Sequence, residues 1–229
     1  KKVKLLQNRK LSLKGKVTLL NSLILSRIWF LASIIHMPKW AHKKFEQIIA
    51  EFLWGPKGPD PIKRLTWYLP TQQGGLGLLH PQHQENAIRL KFFFRIVDPQ
   101  RTELWLYFAR YWLLRKLAKH NPKSWAPLND NQTAKYNGTD PPPHYKKLEE
   151  LFTENKQVLL NVREHTTKNI YTALRQKPNK SYVMDVQTAW NEGFHMQLPW
   201  NKLWAHNFSS YATGKTHDIL YKFMHNCLP

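Results

Sequence analysis

Leu13, Val17, Leu20, Ile24, Ile28, Leu31 and Ile35 recur at spacings of three and four, which predicts one helix over residues 11–37 with a single buried stripe. Ser12 is available as its N-cap and Pro38 as its stop. A second helix is expected over 41–54, with Phe45, Ile48, Ile49, Phe52 and Leu53 on one face and Gly55 and Pro56 ending it. Residues 62–69, with Trp67 and Tyr68, read as extended. The turn Gly74-Gly75-Leu76-Gly77 then docks Leu76, Leu78 and Leu79 onto the first helices. A helix over 81–97 places Ala87, Leu90 and Phe94 on one face and leaves Arg89, Lys91 and Arg95 outside; another long helix follows over 101–120.

The pattern breaks over 121–144, where five prolines and many Asn, Asp and Thr carry no apolar period. A domain boundary is placed there. Beyond it, short helices are expected over 145–152, 156–162, 166–176, 183–192, 200–209 and 216–226, with Trp190, Trp200 and Trp204 as the core of a second unit. The fold class is therefore all-α with few or no strands. It comprises a basic helical bundle over 1–120, a linker over 121–144 and a smaller helical unit over 145–229.

Charge changes the picture from fold to partner. Thirty-five Lys and Arg against fifteen Asp and Glu give a net charge of +20, a self-repulsion that a polyanionic partner relieves. The imbalance is uneven, with seventeen cations against four acids over 1–95 and eighteen against eleven over the rest. Phosphate contacts are thus expected mainly in the first part, the alternative being that its lysines are only a soluble face. Hydrophobic residues make up 42% of the chain, enough for packed cores rather than a disordered basic tail. The near-apolar run 23–35 contains Arg27 and is too short to span a bilayer, and no secretory signal is visible. One cysteine, Cys227, excludes an internal disulfide and fits a reducing compartment.

Catalytic chemistry finds no support in the residues. Asp60, Asp98, Asp130, Asp140, Asp185 and Asp218 stand far apart, and no Asp-Asp pair is present to hold the two magnesium ions of template-directed polymerisation. His206, His217 and His225 lack cysteine or carboxylate neighbours at ligand spacing, so a metal site is disfavoured. Gly214-Lys215-Thr216 ends like a phosphate-binding loop, but Ser209 stands where its first glycine is required. Phe92 and Phe93 are candidates for stacking on bases, with buried packing preferred.

One combination of motifs is more specific. Leu11, Ser12, Leu13 and Gly15 open a basic helix; Phe52, Trp54 and Gly55 stop the next; Trp67, Gly74 to Gly77, and Asn86, Ala87 and Lys91 follow in order. This series resembles the segment that follows the polymerase palm in non-LTR (LINE-type) retrotransposon reverse transcriptases. A weaker match covers Lys168 to Gln176, Trp190, Pro199 to Trp204 and His217 to Pro229. The resemblance covers roughly two thirds of the chain and is weakest over 101–147.

The resemblance implies a thumb and the following linker or wrist region, ending just before the family's zinc-binding Cys/His cluster, which suggests truncation. It implies a non-catalytic portion that grips the RNA/DNA template-primer backbone, with the palm and fingers of the same parent protein as a further partner. RNA, RNA/DNA hybrid or DNA is the expected ligand, no membrane is expected, and location is nuclear or cytoplasmic. No cofactor is expected in this chain, since magnesium and zinc would belong to absent parts of the parent. The cations assigned to nucleic-acid binding are Lys10, Lys14, Lys16, Arg27, Lys43, Lys44, Arg89, Lys91 and Arg95, with Lys14 and Lys16 placed in the family's basic opening. Two alternatives stay open: a standalone or domesticated nucleic-acid-binding module, and a protein-interaction module whose thirty aromatics form a docking surface.

Overall fold

A computed structural model describes residues 10–56, 60–120, 141–175, 182–207 and 213–228. Every regular element among them is helical. The first rod is built in three pieces, α1 (Leu13–Leu19), a π-helical turn (Leu20–Leu25) and α2 (Ser26–Ile34). Ser12 caps it as expected, its hydroxyl accepting from the Gly15 amide at 3.3 Å. The π turn holds one residue more than an α turn of the same height, so the inward face slips by a residue. Leu13, Val17 and Leu20 are buried, but the stripe then continues at Leu25 and Ala32, while Leu31 and Ile35 are exposed. Unbroken across the π turn, Leu13–Ile34 is long and apolar enough to cross a bilayer, where the run 23–35 was expected to be too short; a core helix passes the same test.

α3 (Lys39–Trp54) buries Ile49, Phe52 and Leu53 and stops at Gly55, whose φ of 100° lies in the region glycine favours. Residues 62–69 are not extended: they contain a single helical turn, α4 (Arg64–Trp67). Thr66, Trp67 and Tyr68 are all buried in and just after that turn. A 3-10 turn (Thr71–Gln73) leads into the glycine turn. The remaining helices are α5 (Pro81–Val97), α6 (Leu104–His120), α7 (Pro143–Leu159), α8 (Thr167–Arg175), α9 (Tyr182–Gly193), α10 (Trp200–Asn207) and α11 (Gly214–Met224). α7 runs unbroken through the two helices expected over 145–162.

The helices assemble into two compact units that do not follow the expected division at 121–144. One comprises Lys1–Phe30, Met37–Pro81 and Pro178–Pro229; the other comprises Leu31–His36 and Gln82–Lys177. Residues 121–140, most of the expected linker, lie outside the described residues. The first unit has a core in which Leu13, Leu20, Phe52, Trp67, Leu76 and Leu78 pack with Val183, Trp204 and Tyr221. Trp204 is thus part of the core built on the first helices, rather than the centre of a separate C-terminal unit. Trp190 and Trp200 are half-buried at its side, their indole N–H groups donating to Met224 O and Asn191 Oδ1.

The glycine turn is where distant parts of this core meet. Leu76 and Leu78 are buried and Leu79 partly so, as expected, and Asn21 clips the turn by donating to Gly77 O and accepting from Leu79 N, both at 3.1 Å. Gly74 has φ +79°, and a Cβ there would lie 2.9 Å from the Trp204 ring. Its carbonyl accepts from Tyr221 Oη at 3.0 Å and His225 Nε2 at 2.8 Å. In the second unit the aromatic contacts organise the core, with Phe93 stacked on Phe152 at 4.3 Å and Leu106, Leu148, Ile170 and Leu174 buried.

Candidate nucleic-acid interface

In the first unit the N-terminus of α1 is held by a carboxylate from the far end of the chain. Asp218 on α11 accepts from the Leu13 amide through Oδ1 at 2.8 Å and Oδ2 at 3.1 Å, adding negative charge where the helix dipole favours it. Burial pushes the Asp218 carboxyl up, while the Leu13 amide, Lys16 and Lys222 oppose that shift. Lys16 turns inward, and its Nζ donates to Leu53 O at 2.6 Å, in the last turn of α3. Burial pushes its ammonium down, against the pull of Asp218. Lys16 therefore ties two helices together and is not an open phosphate ligand, a correction to its expected place in the basic opening.

Lys10 and Lys14 are exposed at the same helix end. Gly214 packs so closely on Ser12 that a Cβ would meet the serine Cβ at 2.7 Å, and Lys222 bears electrostatically on both Lys16 and Asp218. Nothing in the sequence groups Lys222 with Lys16, because some two hundred positions separate them. Arg27 is exposed on α2, and Lys43 and Lys44 are exposed in the first half of α3.

In the second unit Arg89 is buried, not outside. It shares the inner face of α5 with Glu85, Phe93 and Ile96, at helical spacings of four, four and three. Its Nη1 lies 3.6 Å from Glu85 Oε1 and 2.7 Å from His36 Nδ1, which is itself 2.9 Å from Glu85 Oε1. Desolvation pushes the guanidinium down and Glu85 pulls it back. Arg89 thus neutralises a buried acid, and nucleic acid cannot reach it.

Lys91 and Arg95 do face outward. Arg95 donates to Glu103 Oε1 at 2.9 Å and lies over the Trp105 ring at 5.1 Å, while Arg101 reaches the same Glu103 oxygen at 3.1 Å. Hydrogen bonding from Arg95 is the largest influence holding the Glu103 carboxyl at about 2. Phe92 stacks on Trp105 at 5.5 Å and Phe93 is fully buried, so both pack rather than await a base. Lys91, Arg95, Arg101 and Lys156 line a cavity of about 600 Å³ together with Phe152, Leu159, Leu160 and Val162.

His225 is buried against the glycine turn, and burial pushes its imidazole down to about 4, so it is neutral at pH 7 and donates through Nε2. His217 is also buried and His206 exposed. Among the described residues no three or more His, Cys, Asp or Glu side chains come together as a metal would require. No protein-family model, curated protein or solved structure matches the chain.

Proposed function

We propose that this chain is the non-catalytic, nucleic-acid-gripping portion of a LINE-type reverse transcriptase. It holds the RNA/DNA template-primer by shape and phosphate contacts while a palm elsewhere in the parent supplies the paired carboxylates and their magnesium ions. One observation carries the proposal. Several acids are taken up in structural pairs and caps, Asp218 on Leu13, Glu85 with Arg89, Asp60 with Arg64 and Glu103 with Arg95 and Arg101, while Lys10, Lys14, Arg27, Lys43, Lys44 and Lys91 are exposed. A net +20 distributed that way presents an excess of outward cations to a polyanion.

A grip through phosphates reads no sequence and displaces condensed counterions, so affinity falls steeply with salt. An A-form hybrid offers a wide, shallow minor groove, and recognition there proceeds by shape and backbone. Slower dissociation between nucleotide additions is the functional consequence. The test is competition: a polyphosphate competitor releases the hybrid, and salt weakens binding. Affinity indifferent to both contradicts the proposal.

A protein-docking role has its own support. Leu104, Phe108 and Tyr111, at spacings of four and three on α6, are all exposed, as are Phe30 and Leu31 on α2. These faces suit contact with other parts of the parent protein. Binding to a partner that phosphate competitors leave untouched is the outcome that favours this second reading.

A further inference from the structure

The cavity of the second unit combines three features that a duplex grip does not need. First, its volume of about 600 Å³ lies in the range of small-ligand sites, where phosphate contacts on an intact helix require only a surface. Second, its lining carries an exposed aromatic ring, His165, stacked on Phe94 with centroids 3.5 Å apart and planes 16° from parallel, so that a further ring can join the stack on the outer face of the imidazole. Third, Lys91 on α5 and Lys156 on α7 also line it, and neither has an ion-pair partner among the described residues, in contrast to Arg95 and Arg101, which share Glu103.

A ligand matching this arrangement has a flat, largely apolar body and an attached anion. Stacking on an aromatic ring is tolerant of which base is presented, because every base has a π face. Purely apolar ligands leave the lysines without a counter-charge, and inorganic phosphate leaves the exposed His165 ring uncovered. Burial pushes the His165 imidazole down, which favours the neutral ring suited to stacking.

We infer that this cavity receives an unpaired nucleotide of a single-stranded stretch of RNA or DNA, its base stacked on the outer face of the His165 ring and its phosphates on Lys91 and Lys156. The cavity lies wholly within the second unit, so the inference stands on that unit's geometry and extends the proposed grip from duplex to an adjoining single strand.

Fluorescence anisotropy on the full chain tests it with three labelled probes: a blunt RNA/DNA hybrid, the same hybrid with a short single-stranded tail, and that hybrid with an abasic tail. The tailed hybrid should bind about tenfold more tightly than the blunt one, in line with about 1–3 kcal/mol per stacked base. The abasic tail should lose most of that gain. The single variants Lys156→Ala and His165→Ala, both at exposed positions outside the duplex-gripping cations, should each remove most of the advantage of the tail while leaving blunt-hybrid affinity within about threefold. Equal binding of blunt and tailed probes, or of abasic and intact tails, overturns the inference and leaves the duplex grip standing. Failure of all three probes to bind overturns the proposed function itself. Far-UV circular dichroism confirms that each variant keeps its helices.

Discussion

At Gly74 a methyl group would have to share space with the Trp204 ring, and the backbone already stands at a φ of +79°. Gly55 has a comparable φ of +100° but open space around its Cβ position. Gly55→Ala should therefore cost only the backbone strain of about 1–3 kcal/mol for a side chain at φ 100°, ψ 171°, whereas Gly74→Ala combines left-handed strain with the displacement of a buried tryptophan. Urea denaturation separates the two, and equal losses would contradict the close packing at the turn. His225 bonds the same residue and supplies a pH signature. Its folded pKa of about 4 lies below the ordinary 6.5, so the unfolded chain binds the proton first as pH falls. The stability contributed by this neutral imidazole is present above about pH 6.5 and lost between there and 4, at up to about 1.4 kcal/mol per pH unit. His225→Gln keeps a donor without titrating, so its stability should fall less than that of the unsubstituted chain between pH 7 and 4.5. Parallel pH profiles of the two proteins would show that His225 is not the group responsible.

Single helices carry most of what periodicity reveals and also show where it fails. The Pro81–Val97 helix is bounded as its pattern predicts, because a proline at its first position and a long apolar period leave little choice. The first rod departs from its pattern at Leu20–Leu25, where a π turn moves the buried face from Ile24 to Leu25 and leaves Leu31 and Ile35 in solvent. A spacing rule built on 3.6 residues per turn has no term for that insertion. The segment 62–69 misleads in another way: its β-branched and aromatic residues favour a strand in isolation, but packing into the core, where Thr66, Trp67 and Tyr68 are buried, overrides that preference with a helical turn. Lys16 and Arg89 were legible as cations and not as buried ones, because Leu53 O and Glu85 become their partners only after folding. Arg89 carries the corresponding prediction. Arg89→Ala should lose about 3–5 kcal/mol by stranding the buried Glu85, and the double variant Glu85→Leu/Arg89→Met should recover most of it. A thermal denaturation series decides this, and a double variant no more stable than the single one would refute the pairing.

Across the whole molecule, the basic excess that was evident from composition becomes an arrangement only when acids and cations are sorted by role. Asp218 belongs to a helix cap and Lys16 to a helix tie, while Lys10, Lys14, Lys43 and Lys44 are exposed. Sequence order concealed the association of α11 with α1, since nothing in the chain marks Asp218 as the partner of Leu13 across 205 positions. Charge reversals at Lys14 and Lys43 should therefore weaken nucleic-acid binding without unfolding the protein, in contrast to substitution at Arg89. The most direct measurement is a salt titration of affinity for a short RNA/DNA hybrid, with duplex DNA and single strands alongside. The account predicts a linear fall of log affinity with log salt at about 0.7–0.9 per phosphate contacted, strongest for the hybrid and shallower by about one contact for each reversed lysine. A flat titration, or slopes unchanged by Lys14→Glu and Lys43→Glu, would contradict a phosphate grip and leave protein docking as the function of these helices.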